Sequence, residues 1–554
     1  MTNPTIARHF RELAKLMELH GDNPFKIRSY TNAYNKLRKD DRELATMSEA
    51  ELVKLDGVGK AIAGKIHELA TTGTMETLEK WRAKTPEGIR EMLNVSGFGP
   101  KKVKAVWDGL GVETVGQLLY AINENRLVEL KGFGTKTQET LRQKLEFLQR
   151  SRGKLHYRTG ALAAGALLTQ LRRTFPDERF EATGELRRAC PTLSSIELLT
   201  TLAPAPIAIG APNIKGVTVK ERSAERSLLS VDEVPFTLYH CTTENFGSKQ
   251  FRRTGSPEFL RAFLDRFPDR TFTDLPEEKD VFARAQVPYL IPELREDGTY
   301  LDGSFTVPEV ITEADIRGVV HAHSTYSDGI HSLQEMALGS RERGYEYLVI
   351  SDHSKAAFYA NGLTESRVRE QWAEIDKLNE ELAPFRIFKG IECDILSDGS
   401  LDYDADLRSG FEVVIASVHS NLNMDKERAT ARLLAAIAHP HTTILGHPTG
   451  RLLLSRAGYP IDHARVIDAC ADHGVAIELN ANPYRLDLDW RWLPYASERG
   501  VPISINPDAH AVGGIDDIRW GVAVARKGGL TRGACLNASS REEFAAFCSL
   551  SDRE

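Results

Sequence analysis

Seven short apolar runs punctuate the chain beyond residue 317, and each leads into His, Asp, Glu or Asn. Gly318-Val319-Val320 runs into His321 and His323, Tyr347-Leu348-Val349-Ile350 into Asp352 and His353, Phe385-Arg386-Ile387-Phe388 into Glu392, and Val413-Val414-Ile415-Ala416 into His419. Thr443-Ile444-Leu445 then leads to His447, Val475-Ala476-Ile477 to Glu478 and Asn480, and Val501-Pro502-Ile503-Ser504-Ile505 to Asp508 and His510. Parallel strands buried on both faces read as continuous apolar runs, and in α/β barrels the chemistry collects at their C-terminal ends. Metal-ligating side chains gathered on that rim predict a metal site. In His321-Ala322-His323, alternation with period two puts both imidazoles on one face, and Asp328 returns from the following loop. His331, His439, His441, His463 and His473 fall in loops or helices and read as structural.

The first 150 residues carry a different pattern, apolar-x-Gly-apolar-Gly, three times: Leu55-Asp56-Gly57-Val58-Gly59, Val95-Ser96-Gly97-Phe98-Gly99 and Leu130-Lys131-Gly132-Phe133-Gly134. Glycines permit a tight turn between two helices, and the free amides at the start of the second helix can meet a phosphate. Lysines stand close behind each turn: Lys60, Lys101 with Lys102, and Lys136. These repeats resemble helix-hairpin-helix motifs, and the resemblance implies that Gly57, Gly59, Gly97, Gly99, Gly132 and Gly134, with those lysines, contact DNA backbone in a grip that does not read sequence. A basic helix opening at Asn23-Pro24-Phe25-Lys26 precedes the first turn.

Charge supports this division. The net charge is −7, but residues 1–150 are basic by about +5 and the remainder acidic by about −12. At 554 residues the chain is too long for one core. Six scattered cysteines without a CxxC pair argue against a disulfide framework or a zinc finger, and a reducing cytoplasm is expected. No run approaches the roughly 18 apolar residues of a membrane span, and Met1 is followed by Thr-Asn-Pro rather than by a signal sequence.

Together the hairpins and the basic helix ahead of them resemble the first domain and fingers of family X DNA polymerases. In some members a lysine after the first hairpin forms a Schiff base with an abasic sugar, and Lys65 stands in the similar place. The resemblance continues through palm and thumb over residues 151–300. The family's palm motif opens with Gly-Ser and arginines and ends in two aspartates; the matching stretch here, Gly184-Glu185-Leu186-Arg187-Arg188 through Leu199, has Ser195 and Glu197 at the aspartate positions. The third aspartate falls near Thr237, and no Asp occurs between Pro235 and Gly255. Thr254-Gly255-Ser256 keeps the nucleotide-binding step, preceded by Arg252-Arg253 instead of tyrosine-phenylalanine. Nucleotidyl transfer needs two divalent ions about 3.5–4 Å apart on several carboxylates. Ser195, Glu197 and Thr237 therefore mark a degenerate polymerase site.

The C-terminal ligands resemble the polymerase-and-histidinol-phosphatase (PHP) family, a distorted seven-stranded barrel, with nine ligand positions filled: His321, His323, Asp328, His353, Glu392, His419, His447, Asp508 and His510. The resemblance implies three divalent ions. His321, His323, Glu392 and Asp508 would hold the first, Glu392, His419 and His447 the second, and Asp328, His353 and His510 the third. Mixed nitrogen and oxygen donors suit Mn²⁺, Zn²⁺ or Fe²⁺ better than Mg²⁺. Glu392, Asp508 and His510 are also catalytic candidates, with Lys355 and Arg451, alongside Arg485 and Ser420, as phosphate contacts; Asp352 and Asn480 would orient ligands. Asn361-Gly362-Leu363, Gly446 to Arg451 and Asn480-Ala481-Asn482-Pro483 are similar to PHP domains fused to bacterial family X polymerases.

The expected architecture is multidomain. An all-α helix-hairpin-helix region (1–90 and fingers-like 91–150) precedes an α+β nucleotidyltransferase-like palm (151–235) and thumb (236–300). A linker (301–316) then leads to an α/β distorted (β/α)7 barrel (317–554). The expected protein is a prokaryotic, cytoplasmic, monomeric DNA-repair phosphodiesterase, nucleoid-associated when on DNA. It acts on gapped or 3′-ended DNA as a 3′-5′ exonuclease or in abasic-site and 3′-end processing, with polymerisation lost. A small-molecule phosphatase of the histidinol-phosphatase type, a polymerase still active without its aspartates, and a non-enzymatic DNA scaffold are the alternatives.

Overall fold

The structure is a computed structural model. It describes residues 1–549 apart from 41, 56, 96, 124–126, 128–129, 131, 152, 211–213, 215, 232–233, 302 and 304–305. Asp56, Ser96 and Lys131 of the three hairpin turns lie outside the described residues. The chain divides into two compact units, Met1–Arg152 and Gly153–Glu554. Among the described residues no helix is long and apolar enough to cross a membrane, and the six cysteines are free thiols.

The first unit is helical. Each glycine turn does what its composition demands: Gly57, Gly97 and Gly132 have positive φ, of 74°, 78° and 92°, where a side chain is strained. Gly59 caps the helix Lys60–Thr72 and Gly99 caps Pro100–Leu110, neither with a side-chain cap. One apolar cluster runs from Ile6 through Phe98 and Phe133 to Leu145. The expected division at residue 90 is therefore not a break in the core, because the first hairpin and the later two share it.

The second unit opens on a small antiparallel pair, β1 (Leu155–His156) with β3 (Thr192–Leu193). Its first large sheet holds β2 (Phe180–Thr183), β4 (Ile196–Thr200), β5 (Val217–Arg222), β6 (Arg226–Val231) and β7 (Val234–His240), in the order β2-β4-β7-β6-β5. β4 and β7 are parallel and the other pairs antiparallel. Because β7 runs on to His240, the expected palm–thumb boundary at 235 falls inside a strand. Helices Phe246–Thr254, Pro257–Arg266 and Glu278–Ala285 follow, packed around Phe251, Phe259, Phe263 and Phe282.

Seven parallel strands follow: β8 (Gly318–Ala322), β9 (Tyr347–Ile350), β10 (Arg386–Asp394), β11 (Val413–Ser417), β12 (Ile444–Leu445), β13 (Ala476–Asn480) and β14 (Ile503–Asn506). They lie in sequence order, and a parallel bridge of Ala322 to Ala509 nearly closes the ring. Val320, Val349, Phe388, Ile415, Ile444 and Ala476 pack with Phe544 and Cys548 of the last helix, which plugs the end away from the ligands. The expected linker is tied to this barrel rather than loose: Ile311 is fully buried and its N–H donates to Leu530 O. Lys527, also buried, donates to Arg188 O (3.1 Å) and to Glu296, and Tyr157 meets Trp520 edge-on. Palm and barrel therefore form one body.

Candidate metal centre

All nine expected ligands converge at the C-terminal end of the barrel. Glu392 is at the middle: its Oε1 lies 3.0 Å from Nε2 of both His419 and His447 and 3.4 Å from Nε2 of His321, and its Oε2 lies 2.9 Å from Nδ1 of His353. Asp508 Oδ1 lies 3.2 Å from His323 Nε2 and 3.6 Å from His321 Nε2. Asp328 Oδ1 reaches His510 Nε2 at 3.4 Å and His353 Nε2 at 3.6 Å. Donor atoms suited to one ion fall into three groups: His321, His323 and Asp508; His353, Glu392 and His419; and His323, Asp328, His353 and His510. The grouping differs from the one the resemblance implied, since His323 and His353 each face two positions.

The imidazoles of His321 and His323 do converge, 5.2 Å apart, but not by strand alternation. The pairing of β8 with β9 shifts register between Val319 and Ala322, and His321 takes φ +67°. A bulge re-aims a side chain at a sheet's end, and here it turns His321 toward Glu392. Asp508, at φ +53°, is held in the same sparsely populated region. β10 continues to Asp394, so Glu392 projects from within a strand rather than from a loop.

The donor set fits divalent ions. Nε2 of His321 and Nδ1 of His323 are buried without a hydrogen-bond partner, an expensive condition unless something else fills that place. Burial alone raises the carboxyls of Glu392 and Asp508, but the surrounding imidazoles outweigh it and hold both well below the usual range, ionised as ligands must be. Burial also pushes His323 down to about 4, keeping it neutral. Burial works the other way from charge at His419 and His510, where the carboxylates win and raise the rings to about 10 and about 9.

Two carboxylates have an orienting role that the sequence reading did not assign, Glu478, named there only as following an apolar run, and Asp394, not named at all. Glu478 Oε2 lies 2.6 Å from Nδ1 of His321, and Asp394 Oδ1 lies 2.6 Å from Nδ1 of His419. Such pairs fix the tautomer and aim the other nitrogen at a metal. Their signal was present, a buried carboxylate within β13 and another two residues beyond Glu392. Asn480 holds Glu478 and Asp508 together, at 2.8 and 3.1 Å. Asp352 acts less directly than expected: its carboxylate accepts from Ser324, Ser327 and Gln371, bracing the loop that carries Asp328, and only its carbonyl meets a ligand, accepting from the Glu392 N–H at 3.1 Å. Arg451 is likewise turned away from the expected phosphate role, its guanidinium spent on Asp489 and the carbonyls of Arg485 and Leu486. Arg485 is the cation at the centre, with Nε 3.7 Å from Asp508; Lys355 and Ser420 are exposed. Among the structural histidines, His463 stacks on Trp492, His439 meets Arg408, and His331 accepts from Val512 N–H.

In the palm, Glu197 and Thr237 are direct neighbours in the β4–β7 pairing, and Ser195 Oγ donates to Glu197 at 3.1 Å. The three expected aspartate positions thus meet, carrying one carboxylate. Arg187 is engaged by Glu278 and Thr254, and Arg188 by Glu296 and Thr254 O. In the first unit, Lys60, Lys101 and Lys136 are exposed beside their turns, and a side chain added at Gly59, Gly99, Gly132 or Gly134 would meet nothing within 4 Å. Lys102 lies along Gly97 O, and half-buried Lys65 donates to Thr77 Oγ1 at 2.8 Å.

Hairpin helices, a nucleotidyltransferase-like palm and a ligand-rimmed parallel barrel define a multidomain protein of the polymerase-plus-PHP class. Family models agree at the N-terminus: "Helix-hairpin-helix domain" matches residues 1–75 and "SAM-like Helix-hairpin-helix tandem" residues 89–146. The chain is 35% identical to the "DNA polymerase/3'-5' exonuclease PolX" of Bacillus subtilis (strain 168), over the whole length of both. It therefore belongs to the PolX family. A "Probable phosphatase" of Thermoanaerobacter sp. (strain X514) is 26% identical over 39% of the chain and 88% of its own length. Another, of Caldanaerobacter subterraneus, is 27% identical over 34% of the chain and 74% of its own length.

Proposed function

We propose that this chain is a DNA-repair phosphodiesterase that removes nucleotides from 3′ ends at the barrel centre, on DNA gripped by the hairpins, and that its palm no longer polymerises. The observation that carries the reading is the gathering of nine candidate ligand side chains around Glu392, itself one of them, at one end of the barrel, in the same chain as three glycine turns suited to phosphate. The Bacillus relative's designation as a DNA polymerase/3′-5′ exonuclease supports the exonuclease part of it. Divalent ions, Mn²⁺ foremost and Zn²⁺ or Fe²⁺ as alternatives, would be held by the three donor groups, with His447 beside Glu392 as the ninth ligand; bound there, they would supply Lewis acidity and an activated water. The chain's own residues prepare that site. Glu478 and Asp394 orient His321 and His419, Asn480 fixes Asp508, and Arg485 presents a cation to the phosphate. Asp352 keeps the Asp328 loop in place.

Loss of polymerisation is supported by the single carboxylate at the palm and by the commitment of Arg187 and Arg188 to Glu278 and Glu296. Free thiols and the absence of a spanning helix among the described residues are compatible with a cytoplasmic, nucleoid-bound protein. The test is labelled 3′-tailed DNA with Mn²⁺, wild type beside His321→Ala. Shortening by the wild type that chelation and the variant both abolish is expected. Hydrolysis of a small phosphomonoester with the DNA left intact would instead select the phosphatase reading that the shorter relatives suggest.

A further inference from the structure

Among the described residues, the exposed large apolar side chains of the barrel are Ile330 (65% exposed), Phe358 (86%), Tyr359 (59%) and Tyr484 (53%). All four stand on loops that carry the metal centre's groups. Ile330 follows Asp328 and its N–H donates to His510 O. Phe358 and Tyr359 follow His353, and Tyr484 precedes Arg485. Scattered apolar residues on a surface need no explanation, whereas a set confined to the mouth of a site does.

Phe358 and Tyr359 are the telling pair. The Tyr359 ring lies 6.3 Å from that of His353 and 6.4 Å from that of His419, and the Phe358 ring stands 6.3 Å from it at 77°. Their turn is firmly built. Ala357 and Ala360 are buried on either side, Ala356 N–H donates to Asp402 at 2.6 Å, and Gly362 N–H closes on Ala357 O. Gly362 passes so close to Ser354 O that a side chain there would meet it at 2.0 Å. A rigid turn therefore holds two aromatic faces in solvent, one of them against two metal ligands. Exposed Lys355 and nearby Arg485 add positive charge.

We propose that Phe358 and Tyr359 are a stacking platform for the base of the nucleotide being removed, so that the centre selects nucleic-acid ends over small phosphate esters. The proposal rests on reading the centre as a DNA phosphodiesterase. A base lies one sugar from its phosphate, and aromatic rings bind any base through its π-face, so the platform is indifferent to sequence. Small esters without a base reach the same ions but lack this hold.

The experiment uses the full Mn²⁺-loaded chain on two oligonucleotides that differ only at the 3′ end, one with an ordinary terminal nucleotide and one with a baseless tetrahydrofuran residue. Phe358→Ala/Tyr359→Ala is expected to raise KM on the ordinary end roughly 10- to 100-fold with kcat retained. On the baseless end, variant and wild type behave alike, and Phe358→Trp with Tyr359→Phe restores the wild-type KM on the ordinary end. Metal content, measured in parallel, stays the same. An equal loss on both ends, or no loss on either, overturns the platform while leaving the phosphodiesterase reading intact. If the wild type cuts neither end, both fall together.

Discussion

Nδ1 of His321 and Oε2 of Glu478 lie 2.6 Å apart, both wholly buried, and Glu478 stands in none of the three donor groups at the centre. It is also held by Asn480, Asn506 and the N–H of His447. Replacing it with Gln leaves the volume but removes the charge that orients the ring. Metal affinity should fall about 10- to 100-fold, as read by metal titration. An unchanged affinity would show that His321 is aimed by its strained backbone alone.

Removing the ions should cost stability as well as activity. Ligand binding to the folded state alone stabilises it by about 2.7 kcal/mol when free metal is 100-fold above Kd. Chelated protein should therefore melt at lower temperature than loaded protein, with the difference lost in Glu392→Gln. Calorimetry checks this, and coincident melting curves would speak against a filled site.

At the palm–thumb seam, burial raises the Glu278 carboxyl, but Arg187 and Arg295 overcome it and hold it at about 2, against 4.5 unfolded. A depressed carboxyl contributes stability that is whole above the unfolded value and drains away as pH falls toward the folded one. Glu278→Gln, which strands the buried Arg295 and the half-buried Arg187, should cost about 3–5 kcal/mol at neutral pH. That gap to the wild type should narrow between pH about 4.5 and about 2. Urea titrations across this range measure it, and a gap constant with pH would remove Glu278 from the account.

Lys60, Lys101 and Lys136 should act on DNA through phosphate alone. Each change to Ala is expected to weaken binding equally on unrelated sequences and to reduce the slope of log affinity against log salt by about 1. Fluorescence anisotropy over a salt series tests this; a variant that alters sequence preference would contradict backbone contact.

Primer extension with dNTPs and Mn²⁺ should give no templated product. Ser195, Glu197 and Thr237 meet on β4 and β7 but offer one carboxylate, and the adjacent arginines face Glu278 and Glu296. Extension by His321→Ala protein, in which degradation is silenced, would place polymerisation back in this chain.

Much of the candidate site was legible because its signals are local. Apolar runs ending in His, Asp or Glu place ligands on one rim whatever the packing around them, and a Gly-apolar-Gly turn needs its positive φ wherever it occurs. Asp394 and Glu478 were harder to see, since a carboxylate behind a histidine has no spacing of its own. Arg451 misled for the opposite reason: a cation beside a ligand resembles a phosphate contact until its partners, Asp489 and two carbonyls, are known.

The sequence by itself determined the order of the elements, the nine candidate side chains gathered at the barrel rim and the single carboxylate at the three expected aspartate positions of the palm, because these depend on residue type and short-range periodicity. Only the tertiary structure decided how His323 and His353 are shared, that a bulge rather than alternation aims His321, and that palm and barrel join through Lys527, Arg188 and Glu296. Those outcomes rest on contacts between residues far apart in the chain. They are chosen by close packing and by the cost of leaving buried charge unpaired, and neither quantity exists until the strands have closed.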